Sequence, residues 1–358
     1  MSASAVEPGR RRFLLDEPED ALVSWLAERG RPGFHARQVR DWVFERRVFS
    51  FAGMTDLPGD LRAELGGAFD VLAGKEVERS SSPGGTFKIL LRWPDGASTE
   101  TVMIPARDGA RARRTVCLST QVGCAVGCRF CASGIGGVRR DLGVGEVMEQ
   151  ALRVAAALDA AGERLSHAVF MGMGEPLANY AVTVEAVRRL SRWLGVGRRR
   201  ITVSTVGLPR QIVRLAGEDL SATLALSLHA PTAELRRQLI PWAEAIDLDA
   251  VLAACRRYYE RTGRQITLEY CLLAGVNDEP AHAEQLAAIA VDLRAHVNLM
   301  MYNPVAGLPY ERPSRNRAIA FLKRVRAAGA DAHLRASRGL EADAACGQLR
   351  RRHELATR

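Results

Sequence analysis

The sequence has no apolar run approaching the ~20 residues that a membrane span needs, although hydrophobic residues make up 47% of its 358 positions. The first residues, Met-Ser-Ala-Ser-Ala-Val-Glu-Pro, contain no apolar core of a secretory signal. Cysteine is scarce and odd in number, with seven residues, which does not favour a secreted disulfide framework. We therefore expect a cytoplasmic protein without a membrane anchor, built from one large domain and a small one.

Lysine is nearly absent, since it occurs only at positions 75, 88 and 323, and arginine supplies almost all of the basic charge. The formal net charge of +9 favours a polyanionic partner such as a nucleic acid. The same composition, rich in alanine and glycine, is also typical of a GC-rich genome, and runs such as 198–200 are often only solvated faces. Charge alone therefore leaves both a nucleic-acid-binding protein and an ordinary basic protein open.

Three of the cysteines form the motif Cys124-x3-Cys128-x2-Cys131. Thiolates are soft ligands that suit zinc and iron–sulfur clusters. Three cysteines on a four-iron cluster leave one iron open to a further ligand, just as catalytic zinc sites keep one open position. A zinc knuckle is the alternative, but it needs a fourth ligand, and the nearest histidine in the sequence is His167.

The N-terminal part of the chain is predicted to be a tail followed by helices. Residues 1–17 are expected to form a disordered basic tail, and residues 18–85 a small helical domain. Apolar residues recur at i, i+3 and i+4 between positions 19 and 44, which indicates amphipathic helices. Pro58 and Asp60 are typical of the first turn of a third helix.

From residue 86 onwards the pattern changes to strands. Two short strands at 87–93 and 99–104 predict a hairpin. Six apolar runs then alternate with amphipathic segments; the runs are Thr115–Ser119, Ala168–Met173, Ile201–Thr205, Thr223–His229, Ile266–Leu272 and Val297–Tyr302, and the predicted helices are 145–161, 180–194, 208–216, 247–262, 281–294 and 315–328. This alternation predicts an α/β fold with a parallel sheet. Six units are too few for a closed eight-fold barrel, so an open, partial (β/α)6 barrel is expected over 86–335.

Polar residues and glycines recur where the predicted parallel strands end. They are Gly174 and Glu175 after the second strand, Ser204 in the third, Ser227, Leu228 and His229 at the end of the fourth, and Asn303 after the sixth. Each has an ordinary explanation by itself, and a lone His229 would more often be a core histidine. Because barrel chemistry gathers at the C-terminal ends of strands, their common position predicts one pocket beside the cysteine loop.

Taken together, the motifs resemble those of the radical S-adenosylmethionine (SAM) adenine methyltransferases, the RlmN and Cfr family. The resemblance is carried by Cys117-x6-Cys124-x3-Cys128-x2-Cys131, Gly172-Met-Gly-Glu-Pro, Ser227-Leu-His-Ala-Pro, Glu269-Tyr270 with Gly275-Val-Asn-Asp, and Asp343-Ala-Ala-Cys346-Gly-Gln-Leu. It extends from Phe34 to Leu349. It implies a radical-SAM partial barrel, an N-terminal domain (18–85) that binds RNA, and a C-terminal tail (336–358) that delivers Cys346.

Residue by residue, the resemblance implies that Cys124, Cys128 and Cys131 hold a [4Fe–4S] cluster whose open iron binds SAM. The implied SAM contacts are Gly174, Glu175, Ser204, Ser227, Leu228, His229 and Asn303. It implies further that Cys346 carries the methyl group, that Cys117 then forms a transient disulfide with it, and that Glu100 is the proton acceptor. From the residues alone, Cys117 would be a core residue and Glu100 an exposed strand residue, while Cys255 and Cys271 are predicted to be core.

The implied reaction is methylation of C2 of an adenosine in 23S rRNA and of the adenosine 3′ of the tRNA anticodon. The C2–H bond is neither acidic nor nucleophilic, so the implied route uses two SAM molecules, an S-methylcysteine and a radical. An electron donor such as flavodoxin or ferredoxin and a monomeric enzyme are also expected.

Two alternatives stay open. One is C8 methylation of 23S rRNA, as in the Cfr branch, against which the pair Arg338-Gly339 favours C2. The other is a non-catalytic RNA-binding protein whose cysteines hold a structural metal. The loop 132–142 also departs from the sequence that is usual in the family, which leaves the subfamily and the target less certain than the reaction class.

Overall fold

The structure, a computed structural model, describes residues 11–106, 113–336 and 345–349. Helices and two short strands dominate its N-terminal part. The elements there are β1 (Arg12–Phe13), α1 (Ala21–Ala27), α2 (Phe34–Phe44), α3 (Gly59–Ala68) and β2 (Phe69–Asp70). The three helices lie where the apolar periodicity predicts them, and they bury Leu26, Val39 and Leu61 in one core.

The predicted disordered tail is wrong for residues 11–17. Strand β1 pairs in parallel with β2, Leu15 is buried, and the Asp16 carboxylate accepts the Gly145 N–H at 2.7 Å. The physical reason is the apolar pair Leu14-Leu15, which this end of the chain buries against the larger domain. Residues 1–10 of the predicted tail lie outside the described residues, as do 337–344 and 350–358 of the C-terminal tail.

The remaining elements build one large sheet flanked by helices. They are β3 (Lys75–Ser81), β4 (Phe87–Arg92), β5 (Ser98–Pro105), β6 (Arg114–Cys117), β7 (Gln121–Gly123), β8 (Val138–Asp141), α4 (Val144–Ala160), β9 (His167–Phe170), α5 (Tyr180–Trp193), β10 (Ile201–Thr205), α6 (Pro209–Leu215), β11 (Thr223–Ser227), α7 (Ala233–Leu239), α8 (Leu248–Thr262), β12 (Thr267–Leu272), α9 (Pro280–Asp292), β13 (His296–Met301), α10 (Arg315–Ala327) and β14 (Ala332–Arg335).

The strand order in this sheet is β14-β13-β12-β11-β10-β9-β6-β5-β4-β3. Strands β6 and β9 to β14 run parallel to one another, and β3, β4 and β5 add an antiparallel extension. The α/β fold with a partial, open barrel is thus confirmed. Strand β14, strand β3 and helix α7 were not predicted, since none of the three contains a continuous apolar run.

Strand register decides which side chains reach the interior of the barrel. Val203 pairs with Leu224, and both belong to the core between sheet and helices, while the next pair is Ser204 with Ala225. Because successive side chains alternate between the two faces of a strand, Ser204 and Ser227 point to the other face, towards the barrel interior. None of the helices in the described part of the chain has the length and apolarity needed to cross a bilayer.

Candidate functional site

The three motif cysteines lie on a loop whose two ends are held together. Strands β7 and β8 pair antiparallel on either side of it, and Gln121 Nε2 donates to Asp141 Oδ1 across its base at 2.7 Å. Within the loop the backbone of Gly134 packs against Gly127; a Cβ added at Gly134 would lie 2.9 Å from the Gly127 Cα. The close approach of these two glycines brings the cysteines into one small volume.

The donor set fits an iron–sulfur cluster. Burial raises the pKa of the Cys124 thiol to about 12 and also raises the pKa values of Cys128 and Cys131. Backbone N–H groups point at two of the sulfurs, from Val126 and Gly127 to Cys124 and from Ser133 and Gly134 to Cys131. N–H donors to ligand sulfurs are typical of such clusters, and bound iron would supply the positive charge that the thiolates need.

A single zinc ion fits less well. Among the described residues, the three cysteine sulfurs do not form a group whose ligand atoms all lie within 4.8 Å of one another. Sulfurs around one tetrahedral zinc, at the usual Zn–S distance, are only about 3.8 Å apart. The wider spacing favours a ligand larger than one ion.

Arg236 is a site residue that sequence reasoning missed. It lies on α7, is almost completely buried, and donates to the Val206 carbonyl. Burial lowers the pKa of its guanidinium group. The positive charge of Arg236 in turn opposes the rise that burial causes in the pKa of Cys128. An arginine on the apolar face of a short helix would have indicated this residue in the sequence. Because helix α7 was not predicted, the signal was not recognised.

Glu175 connects the ends of two strands. Its carboxylate accepts the N–H of Leu177 at 2.9 Å and the N–H of Val206, just after β10, at 2.8 Å. Burial raises the pKa of this carboxyl group, and the N–H of Val206 opposes the shift. Gly174 beside it has a φ of +104°, and an added Cβ would lie 2.7 Å from the Cβ of Gln121, so only glycine fits here.

The serines and the histidine of the next two strand ends meet at the same edge. Ser204 Oγ and Ser227 Oγ are 3.1 Å apart. His229 adopts a φ of +56°, its Nδ1 accepts the Cys271 N–H at 3.0 Å, and its ring packs edge-on against Phe130. Burial, followed by the charge of Arg236, lowers the pKa of His229 to about 3, so the imidazole is neutral.

Leu228 and Asn303 contribute differently. The Leu228 side chain is fully buried in the core, so only its backbone lies at the strand end. Asn303 accepts from Arg312 at 3.0 Å through Oδ1, and its Nδ2 donates to the Cys346 carbonyl at 3.3 Å. The predicted residues of the four strand ends are therefore brought together, with Leu228 present through its main chain.

The described part of the C-terminal tail is docked against this site. The Gly347 carbonyl accepts the Ala132 N–H of the cysteine loop at 2.7 Å, and Gln348 Nε2 donates to the Pro304 carbonyl at 3.0 Å. Leu349 is buried against Cys117. Cys346 is exposed at the mouth of the site. Desolvation by the surrounding protein raises the pKa of its thiol, and the positive charge of Arg335 opposes this rise.

Cys117 is buried at the end of β6, as the apolar strand predicted. Burial raises the pKa of its thiol, and the nearby Cys346 raises it further. Leu349, three positions after Cys346, packs against Cys117, so the two cysteines of the implied redox pair lie on packed segments although they are 229 positions apart in the sequence. Leu349 fills the space beside them.

Glu100 is buried, so the interpretation of an exposed strand residue was wrong. Its carboxylate lies 2.8 Å from Lys88 Nζ on the neighbouring strand β4. The pairs Leu90–Glu100, Lys88–Val102 and Val102–Cys117 put these side chains on one face of the sheet, since paired residues point to the same side. Lys88 is the second functional residue that sequence reasoning missed; its signal was a rare lysine within an apolar strand.

Comparisons with known proteins agree with this geometry. Residues 118–287 match the family model of the radical SAM superfamily, and residues 13–71 match the ribosomal RNA large subunit methyltransferase N-terminal domain.

Curated relatives cover nearly the whole chain. A "Probable dual-specificity RNA methyltransferase RlmN" of Thermosynechococcus vestitus is 45% identical over 96% of this chain and 99% of its own length. A protein of the same name from Rhodopirellula baltica is 48% identical, over 96% of this chain and 91% of its own. The crystal structure of a radical SAM methyltransferase from Sphaerobacter thermophilus superimposes with a TM-score of 0.91 at 43% identity, covering 94% of this chain and 99% of that one.

Proposed function

The chain belongs to the RlmN family of radical SAM methyltransferases, and from this premise we propose that it methylates C2 of an adenosine in 23S rRNA and of the adenosine 3′ of the tRNA anticodon. The observation that supports the proposal most is the docked tail, which places Cys346 beside both the cysteine loop and Cys117. A structural metal site would need neither cysteine there.

Cys124, Cys128 and Cys131 would hold the [4Fe–4S] cluster. The strand ends around them would hold SAM through Gly174, Glu175, Ser204, Ser227, the backbone of Leu228, His229 and Asn303. When bound, the cluster and SAM supply the methyl group and the radical chemistry that an unreactive C2–H bond requires. The neutral ring of His229 and the buried hydrogen bonds of Glu175 hold these strand ends in position.

Cys346 is the methyl acceptor in this proposal. A thiolate is the competent nucleophile, and Arg335 is the positive charge that favours it. After carbon transfer, the Cys117 sulfur attacks the Cys346 sulfur. The Cys117 thiol gives up its proton as the disulfide forms. The bond from the Cys346 sulfur to the product carbon breaks, and its electron pair goes to that carbon, which takes up a proton to become the methyl group. A thiol reductant then supplies two electrons and restores both cysteines.

Glu100 is the proposed acceptor of the C2 proton. Its carboxylate faces the interior on the same sheet face as Cys117, and Lys88 provides the opposite charge that an ionised buried carboxylate needs.

The proposed partner is RNA, with cluster reduction by a donor such as flavodoxin or ferredoxin, in a monomeric, cytoplasmic enzyme. A cavity of about 750 Å³ lies between the N-terminal helices and the core, and its wall includes Arg46, Arg47, Arg164 and Arg192. The same wall carries the carboxylates of Glu45 and Asp159, and Asp159 lies 3.0 Å from Arg47. The remaining excess of guanidinium groups suits the phosphates of a nucleic acid.

The test is nucleoside mass spectrometry of ribosomal RNA and tRNA after anaerobic incubation with reconstituted enzyme, SAM and reductant. We expect 2-methyladenosine in both RNAs from the wild type and none from Cys346→Ala. Cys117→Ala should accumulate a covalent protein–RNA adduct. Cys255→Ala, which changes a buried cysteine of helix α8, is the matched control and should methylate normally. A product of 8-methyladenosine, or no product despite an intact cluster, would refute the assignment.

A further inference from the structure

A histidine–aspartate–histidine group lies at the end of the barrel opposite to the cysteine loop. His296 is the first residue of β13, Asp331 directly precedes β14, and His333 is within β14. His296 Nδ1 is 2.9 Å from one carboxylate oxygen of Asp331, and His333 Nδ1 is 3.8 Å from the other. The ligand atoms of the three side chains all lie within 4.8 Å of one another.

The strand register explains why these side chains converge. Asn298 of β13 pairs with His333 of β14, and paired residues point to the same face. His296 and Asp331 each lie two positions before a member of that pair, so they share the face. The group is therefore a product of neighbouring parallel strands at their N-terminal ends.

Asn298 determines the tautomer of His296. Its Nδ2 donates to the buried Glu269 carboxylate at 3.0 Å, so its amide oxygen faces His296 Nε2 at 3.2 Å. A carboxylate can only accept, which fixes this orientation of the amide. His296 Nε2 must then carry the hydrogen and donate it to Asn298.

This arrangement leaves the Nδ1 lone pair of a neutral His296 pointing at a carboxylate oxygen 2.9 Å away. A single cation between these two atoms, a second proton on the ring or a metal ion, would relieve the repulsion of the lone pairs. His333 Nδ1 is directed to the same carboxylate, and the two rings are only 4.9 Å apart, so two imidazolium ions there would repel each other.

We propose that His296, Asp331 and His333 bind one divalent transition-metal ion of the zinc type, at a site separate from the cysteine cluster. Metal–nitrogen and metal–oxygen bonds of about 2.1 Å at the tetrahedral angle put two ligand atoms about 3.4 Å apart, which lies between the 2.9 Å from His296 to Asp331 and the 3.8 Å from His333 to Asp331. A histidine ligand normally donates its second ring N–H to a partner, which is the role of Asn298.

The site would be open to solvent on one side. Asp331 and His333 are both more than half exposed, so water can complete the coordination of an ion held by three protein ligands. Imidazole nitrogen with one carboxylate oxygen suits zinc, cobalt or nickel better than calcium or magnesium, which prefer oxygen ligands alone.

The test uses the holoenzyme without an affinity tag, dialysed against zinc at about tenfold molar excess, with iron and zinc counted together by mass spectrometry. We expect close to one zinc per chain in the wild type at unchanged iron content. His296→Ala and His333→Ala should lose at least tenfold in zinc affinity, and Asn298→Leu about tenfold through the ring orientation. His282→Ala, a histidine of helix α9, is the matched control and should bind like the wild type.

Two outcomes would overturn the proposal. One is zinc uptake that the His296 and His333 substitutions leave unchanged. The other is no uptake by the wild type together with nitrogen NMR signals that show both ring nitrogens of His296 protonated, which would identify a proton as the cation. Retention of iron and of the circular dichroism spectrum by each variant excludes unfolding as the cause. The readout is independent of methyl transfer, so its failure and that of the proposed function are separate.

Discussion

Lys88 Nζ lies 2.8 Å from Glu100 Oε1, and both side chains are almost completely buried between strands β4 and β5. The two residues are diagonal neighbours, since Lys88 pairs with Val102 and Glu100 with Leu90. Removing one partner of a buried ion pair strongly destabilises the folded protein. The proposed proton acceptor is therefore paired with one of the three lysines in the chain.

We expect Lys88→Met to lower the free energy of unfolding by about 3–5 kcal/mol, because it removes the positive charge that lies 2.8 Å from the buried Glu100 carboxylate. Methylation activity should fall with it. Urea denaturation and the nucleoside assay measure the two effects. Lys75→Met on the exposed part of β3 is the control and should change stability by less than about 0.5 kcal/mol. A Lys88→Met protein as stable as the wild type would show that the pair contributes nothing.

Gly134→Ala should prevent assembly of the cysteine site. The added methyl group would meet the backbone of Gly127 at 2.9 Å, and backbone cannot move aside without displacing Cys128. We expect less than half of the wild-type iron and sulfide per chain after reconstitution. Gly66→Ala in helix α3 has open space around it, so it should retain full iron and gain slightly in stability. Full iron loading of Gly134→Ala would contradict the proposed packing of the loop.

Glu175→Gln should weaken the connection between the ends of β9 and β10. A glutamine has a single acceptor oxygen, so it cannot accept both the Leu177 and the Val206 N–H groups, which the carboxylate does. We expect a loss of about 1–3 kcal/mol in unfolding free energy and weaker SAM binding, measured by denaturation and calorimetry. Glu284→Gln removes a carboxylate from the exposed ion pair with Arg324 and should cost under about 1 kcal/mol. Equal effects of the two substitutions would disprove the connecting role.

The stability of the protein should decrease with acidity partly through His229. Its pKa is lowered to about 3 in the folded state, whereas an unfolded histidine binds a proton near pH 6.5. Between these values the unfolded chain holds the extra proton, so the unfolding free energy falls as the pH falls below about 6.5.

We expect His229→Gln to remove this contribution, which amounts to at most ~1.4 kcal/mol per pH unit. The comparison of the two proteins by urea denaturation between pH 7 and pH 5 isolates it. His167, whose pKa burial lowers to about 4, is present in both proteins and cancels. Identical pH dependences would mean that folding does not change the pKa of His229.

Local patterns were sufficient for much of the fold. The alternation of apolar runs and amphipathic segments predicted six of the parallel strands and six helices within three residues of their observed bounds. It failed for α7, a short helix with the buried charge of Arg236, and for the polar edge strand β14. In both, tertiary contacts stabilise a segment that has no periodic apolar signal of its own.

The sequence by itself determined the cysteine spacing, the glycines that a tight loop requires, and the placement of polar residues at strand ends, because all of these depend on neighbours along the chain. Tertiary contacts were needed to bury Glu100 with Lys88, to bring the charge of Arg236 close to Cys128, and to pack the tail against Cys117. They likewise bring His296, Asp331 and His333 together. These relationships depend on the register between strands and on the docking of distant segments, and no local pattern encodes either of them.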